Sequence, residues 1–269
     1  MKKTFICYII VLIVIVTSGG FFMLKIYVFD LYGTLVDIRT NEGKPYLWKK
    51  MAEFYGLYGA HYTPKEMAKT YDKYVREEMQ AVYEAMSNEK GICYLDDVDI
   101  QIEKVFLRLF TEKGVEADMA MATHVGQMFR VISMKFEHLY DGVIELLETL
   151  KKKGKKIYLL SNAQYIFTWY ELNALGLIPY FDGIVISSEE CCKKPSVEFY
   201  NILLDRYNLK REETVMIGND QYADIQGAKK AGLTAYYVHT EISPEYIESE
   251  CPADYKMLDG KIKDMIKLI

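Results

Sequence analysis

The sequence predicts an α/β protein: a doubly wound core on a parallel sheet, with an all-helical segment inserted after the first strand. Three observations carry that expectation. From residue 143 to 238, strand-like and helix-like patterns alternate. One buried-strand pattern stands alone ahead of them at 25–30. Between the two, residues 41–140 show helical spacing and no convincing strand alternation. The implied layout is an apolar N-terminal segment at 1–22, a core of 23–40 and 141–269, and a helical unit at 41–140.

Residues 25–30 read as the first strand because Ile26, Tyr27, Val28 and Phe29 are β-branched or aromatic. The strand runs into Asp30-Leu31-Tyr32-Gly33-Thr34, a turn-forming sequence. In the insert, Trp48, Met51, Ala52 and Tyr55 recur at helical spacing. Thr63-Pro64-Lys65-Glu66 supplies an N-cap, a Pro at the first helical position and a Glu at the third. Residues 100–110 and 119–136 read as further helices. Many of the 23 Tyr lie at 46–83, where amphipathic helices can bury the ring while the hydroxyl reaches water. After Gly142, helices are expected at 143–153, up to about 175, at 196–207 and at 223–231. Strands are expected at 156–160, 183–187, 214–218 and 234–238. The basic run 151–156, broken by Gly154, reads as a helix C-terminus with its cap.

Composition narrows the function classes. A formal net charge of -5 leaves no basic footprint for nucleic acid. Five Cys, an odd number with Cys191 and Cys192 adjacent, do not form a disulfide framework, and the four His are scattered rather than set at zinc spacing. A reduced, cytoplasmic interior is the simpler reading. The N-terminus offers another: Met1-Lys2-Lys3, an apolar run at 5–16 and then Thr17-Ser18-Gly19-Gly20 have the layout of an export signal. Membrane contact or export follows only if 1–22 is a genuine targeting or anchoring segment. Met23-Leu24-Lys25, leading directly into the first strand, is an alternative start. The sequence sets no oligomeric state.

Ligands of open parallel sheets bind beyond the carboxyl ends of the strands. In this sequence those ends carry Asp30, Ser161-Asn162, Ser187-Ser188 and Asn219-Asp220, with Lys194-Pro195 opening the helix after the third. A carboxylate nucleophile, a neutralising ammonium and an acidic pair able to hold a hard cation form a coherent set for an anionic substrate.

These segments resemble a known family. Phe29-Asp30-Leu31-Tyr32-Gly33-Thr34-Leu35, Leu160-Ser161-Asn162, Lys193-Lys194-Pro195 and Ile217-Gly218-Asn219-Asp220 with Asp224 are similar, in order, to motifs I to IV of the haloacid dehalogenase superfamily. The resemblance spans 24 to about 240 and implies a Rossmann-like core with a helical cap of the type inserted after the first strand. It implies Asp30 as a nucleophile that forms an aspartyl intermediate, Thr34 and Ser161 as partners of substrate or nucleophile oxygens, and Lys194 as the charge-neutralising residue. Ser161, Asn162 and Tyr32 are the implied substrate-binding residues. Magnesium is the implied cofactor, held by Asp30, the backbone carbonyl of Tyr32, Asp220 and Asp224.

One position departs from the phosphatase pattern. Tyr32 stands where superfamily phosphatases carry a second Asp as general acid, a contribution of about 10²–10⁴-fold. Asp-x-Tyr-Gly-Thr, and Tyr200 beyond Lys194, match 2-haloacid dehalogenases, which use no metal. Asp220 and Asp224 point back to magnesium and phosphate, and Lys49-Lys50 stand after Trp48, where the dehalogenase cap is expected to supply an Arg. The expectation is therefore a phosphatase of a small phosphorylated metabolite. A 2-haloacid dehalogenase is the alternative, and a non-catalytic binding protein on the same fold is a further one. Cys191-Cys192 near Lys194 are read as packing or loop residues.

Overall fold

A computed structural model describes residues 24–89 and 94–268; the N-terminal segment 1–22 lies outside them. No helix among the described residues is long and apolar enough to cross a membrane. The core is a six-stranded parallel sheet, built from β1 (Ile26–Phe29), β4 (Lys156–Ser161), β5 (Gly183–Ile186), β6 (Thr214–Gly218), β7 (Thr234–Val238) and β8 (Tyr255–Met257). Their spatial order is β5-β4-β1-β6-β7-β8. The chain leaves β1 toward β4 and β5, then crosses back to place β6 on the other side of β1. This reversal of winding opens a crevice at the carboxyl ends of β1 and β6. β1 and β6 are buried along their whole lengths, as strands covered on both faces must be. One face packs through Tyr27, Phe29, Leu146 and Ile217, the other through Val28, Tyr200, Met216 and Tyr237. The expected strands are all present; β8 extends the sheet by one more.

Between β1 and β4 lies the insert. It is entered by β2 (Val36–Thr40) and left by β3 (Met134–Leu139), an antiparallel pair outside the main sheet. Its helices are α1 (Pro45–Leu57), α2 (Pro64–Glu89), α3 (Ile102–Thr111) and α4 (Met119–Ser133). The Thr63/Glu66 capping box forms reciprocally, Glu66 N donating to Thr63 Oγ1 at 3.2 Å and Thr63 N to Glu66 Oε2 at 3.3 Å. Asp118 caps α4 by accepting from Met121 N at 2.8 Å. The helix expected through 136 stops at Ser133, because pairing with β2 captures the next six residues as β3. The insert is thus not free of strands, and its two connections to the core are one ribbon. The Tyr-rich stretch also differs from expectation. The hydroxyls of Tyr55 and Tyr62 donate to the carbonyls of Phe106 and Leu109 at 2.8 Å, tying α1 and the following loop to α3 instead of reaching water.

The remaining helices are α5 (Val143–Lys152), α6 (Tyr165–Ala174), α7 (Ser187–Glu190), α8 (Val197–Arg206) and α9 (Gly227–Lys230). The helix expected at 223–231 opens as a π-helical turn over Gln221–Gln226, the kind of irregularity that often marks a functional site. Helix α6 is apolar nearly all round, and Ile166 and Phe167 join the apolar core of the insert. The seam is close: a Cβ on Gly126 of α4 would lie 2.4 Å from Ile166 Cδ1.

Candidate active site

Asp30 leaves the end of β1 with its backbone N–H bonded to Ile217 O of β6, at 2.9 Å. Gly33 turns the chain back with φ +87°, and any Cβ there would strike Asn219, so the loop needs glycine on two counts. The turn returns Thr34 to Asp30: its Oγ1 lies 3.2 Å from Asp30 Oδ2 and 3.3 Å from Asn219 Oδ1, two acceptors for one hydroxyl proton.

Lys194 comes from the loop before α8, and the residue is 2% exposed. It donates to Asp30 Oδ1 at 2.7 Å and to Leu160 O at 2.8 Å, and sits 2.7 Å from Asp224 Oδ1. Asn162 clamps its backbone from both sides, accepting from Lys194 N at 2.8 Å and donating to Lys194 O at 2.9 Å. Burial pulls the Lys194 pKa down, but Asp224 and Asp30 outweigh it and the net shift is upward, so the ammonium stays charged. Asp224 is shifted up by burial and by the charge of Asp30, against the pull of Lys194. One cation between two carboxylates leaves an excess of negative charge at the strand ends.

Asp220 and Asp224 support each other through the π-helical turn. Asp220 Oδ1 accepts from Tyr222 N at 2.8 Å and Ala223 N at 2.9 Å, while Asp224 Oδ2 accepts from Asp220 N at 2.9 Å. The Tyr200 hydroxyl steadies the same turn at 2.8 Å from Ala223 O and 3.0 Å from Asp224 O. Tyr200 is therefore a core residue whose one polar atom braces the acidic turn. Ser161 Oγ is buried and has no hydrogen-bond partner among the described residues.

The cleft beside these groups has a volume of about 240 Å³ and is lined by Asp30, Tyr32, Asn162, Lys194, Asp220 and Asp224 among others. Its far wall is Ile242 and Pro244, from the loop after β7. That loop is pinned to the site: Thr240 Oγ1 donates to Gly33 O at 2.7 Å, and Asn219 Nδ2 to Ser243 Oγ at 3.3 Å. None of the lining residues belongs to helices α1–α4. Sequence reading did not find this loop, because one Thr, one Ser and two apolar residues after a strand carry no chemical signature.

Tyr32 borders the cleft, but its hydroxyl is engaged elsewhere. It donates to Glu171 Oε2 and lies 3.0 Å from Thr168 Oγ1, both on α6. Glu171 is in turn gripped by Arg130 of α4, Nε to Oε1 at 2.6 Å and Nη2 to Oε2 at 3.2 Å. Burial and the Glu171 charge hold the Tyr32 phenol well above its ordinary pKa. Arg130 and Glu171 were also missed, although a signal exists: Glu171 is the only charge in α6, and Arg130 the only one in α4 besides His124. A lone charge in an apolar helix needs a partner. Lys49 and Lys50, read from the sequence in place of a cap Arg, instead face Glu53 on the surface of α1.

The donor set for a hard cation is oxygen-rich: Asp30, Asp220 and Asp224 line one cleft with Tyr32. No group of three or more His, Cys, Asp or Glu among the described residues is drawn together as a metal cluster. Magnesium does not need one, since it binds through one or two carboxylates and completes its shell with water and phosphate oxygens. Both oxygens of Asp224 face Lys194 or Asp220 N.

The chain belongs to the haloacid dehalogenase-like hydrolase family, whose model matches residues 24–232. Among relatives, it is 29% identical over 168 residues to a glyceraldehyde 3-phosphate phosphatase of Methanothermobacter thermautotrophicus, covering 62% of this chain and 71% of that protein. It shares its fold with a HAD phosphatase from Thermococcus onnurineus, at 18% identity and a TM-score of 0.56, over 91% of this chain and 97% of that one. It also shares its fold with a 2-haloacid dehalogenase from Pseudomonas syringae pv. tomato, at 18% identity and a TM-score of 0.52, with the same coverage. At these identities the likeness of the two structures shows the fold alone, and the site has to carry the chemical argument.

Proposed function

We propose that the protein is a magnesium-dependent phosphatase of a small phosphate monoester, with Asp30 as nucleophile. The observation that carries this reading is the charge arrangement: three carboxylates around one cleft with a single buried ammonium among them. A halide-releasing enzyme gains nothing from such an excess of negative charge, whereas a divalent cation and a phosphoryl group both exploit it. The relative named for glyceraldehyde 3-phosphate supports a small substrate. So does the cleft, whose volume of about 240 Å³ is below the roughly 300–1,000 Å³ of typical ligand pockets.

In this mechanism Asp30 attacks phosphorus, the P–O bond to the leaving alcohol breaks, and an aspartyl phosphate forms; water then cleaves it to return Asp30 and phosphate. Lys194 neutralises charge on Asp30 and the incoming phosphoryl oxygens. Thr34 orients Asp30 Oδ2, Ser161 offers its unpartnered hydroxyl at the end of β4, and Asn162, on the cleft wall, holds the Lys194 backbone. Asp30, the Tyr32 carbonyl and Asp220 would hold magnesium, with Asp224 behind them. The ion would offset the carboxylate repulsion and the phosphoryl charge. Tyr32 does not protonate the leaving group, because its hydroxyl is committed to Glu171. Water serves instead, which favours substrates with good leaving groups.

The test is release of phosphate from a panel of small phosphate monoesters and of chloride from 2-chloropropionate, each with magnesium and with EDTA. Magnesium-dependent phosphate release abolished in Asp30→Asn is the expected result. Metal-independent chloride release would overturn it.

A further inference from the structure

The cluster around Arg130 has no part in the chemistry above, yet it reaches the residue two positions after the nucleophile. Five segments meet there. Arg130 comes from α4, Glu171, Thr168 and Phe167 from α6, Tyr32 from the loop after β1, and Glu137 from β3. Glu42, just after β2, feels the Arg130 charge as well. Arg130 and Glu171 form a two-point ion pair with both side chains largely buried, at 14% and 8% exposure. The guanidinium also lies 5.5 Å from the ring centres of both Tyr32 and Phe167. The cluster therefore sits where the insert, the β2–β3 ribbon and the core converge. Among the described residues of the cluster, Tyr32 is the one that also lines the cleft.

We infer that Arg130 and Glu171 are positioning residues that act through the Tyr32 hydroxyl. Their pair holds Tyr32, and with it the loop carrying Asp30 and Thr34, in the working geometry only while α4 is seated on α6. Three features lead there. The Tyr32 hydroxyl has both its partners on α6, so the side chain cannot rotate without breaking them. The loop's own bonds are few and local: Thr34 N, Leu35 N and Val36 N all donate to Leu31 O, and Gly33 N to Val36 O. The loop's outside anchors, Thr240 Oγ1 to Gly33 O and Tyr140 N to Leu35 O, come from the segments after β7 and β3; Tyr32 adds an anchor on α6. Arg130 is the sole contribution of α4 to the cluster, so lifting the insert removes the two charged donors that hold Glu171 in place. Tyr in this position thus exchanges an acid catalyst for a sensor of insert seating.

The catalytic half of this inference rests on the phosphatase reading; the structural half does not. Both are tested with Tyr32→Phe, Glu171→Gln, Arg130→Lys and the double variant Tyr32→Phe/Glu171→Gln. Amide hydrogen exchange of 31–36 needs no substrate. It should quicken to a similar degree in Tyr32→Phe, Glu171→Gln and Arg130→Lys, with the sheet core unchanged. Unaltered exchange of that loop in Glu171→Gln and Arg130→Lys would overturn the inference even if the wild-type protein proved inactive on phosphate esters. In turnover, each single variant should lower kcat by about 10–100-fold, the scale of a small misplacement of reacting groups, with KM little changed. The double variant should lose no more than the worse single one, because both act on one bond. Multiplicative losses in the double variant would mean that Glu171 acts independently of Tyr32. A full-speed Glu171→Gln with a lowered melting temperature would make the pair merely structural.

Discussion

Two buried knots of charge hold this protein together, and they are built on different principles. At Lys194, one ammonium faces Asp30 and Asp224, and each partner hangs from the end of a sheet strand or from the turn directly behind one. At Arg130, one guanidinium faces Glu171 across the seam between the insert and the core. The first knot is fixed by the sheet's backbone register. The second exists only as long as α4 stays seated on α6. A sheet-borne knot can be preorganised for chemistry, whereas a seam-borne one can report whether the layers are closed.

The largest effect is expected from breaking the sheet-borne knot. Lys194→Met leaves Asp30 and Asp224 buried without their cation and should cost about 3–5 kcal/mol of stability, with activity lost. Chemical denaturation followed by circular dichroism checks it. Arg130→Met should cost less, about 1–3 kcal/mol, because Glu171 keeps the Tyr32 hydroxyl as a donor and the insert can shift. Equal losses at the two sites would erase the distinction drawn between them. Gly126→Ala probes the seam without touching a charge. Its new methyl would press on Ile166 and Phe106, and an overpacking loss of about 1–3 kcal/mol is expected by the same measurement.

A further expected effect is a pH dependence to which the seam contributes through Glu137. Burial first, and then the charge of Glu171, raise the Glu137 pKa from 4.5 to about 7. The folded protein therefore keeps a proton that the unfolded chain has released. Stability from this group is full below pH 4.5 and declines as pH rises through about 7. Glu137→Gln should flatten that decline, with a melting temperature above wild type at pH 8 and close to it at pH 4. A melting temperature that falls equally with pH in both proteins would place the titration elsewhere.

How far the sequence could be read follows the same division. Every strand of the core except β8 shows as a short β-branched or aromatic run, and each strand end shows its chemical residue, because topology alone brings strand ends together. The sequence alone places Asp30, Asn162, Lys194, Asp220 and Asp224 at one edge of the sheet, and they line one cleft. β3 could not be foreseen, since its first three residues, 134–136, continue a helical pattern until β2 pairs with them. Nor could the role of Tyr32. Its partners Glu171 and Arg130 lie 139 and 98 residues away, and only the docking of α4 on α6 brings them to it. The apolar wall of Ile242 and Pro244 was invisible for a related reason: it is defined by where a loop folds, not by what its residues are.

The central claim is that Asp30 carries a phosphoryl group during turnover. Rapid acid quench of the enzyme turning over a small phosphate monoester with magnesium, followed by peptide mass spectrometry, tests it most directly. The account predicts a phosphoryl adduct on Asp30 that is absent with EDTA and in Asp30→Asn. An adduct on another residue, or turnover with no covalent intermediate at Asp30, would contradict it.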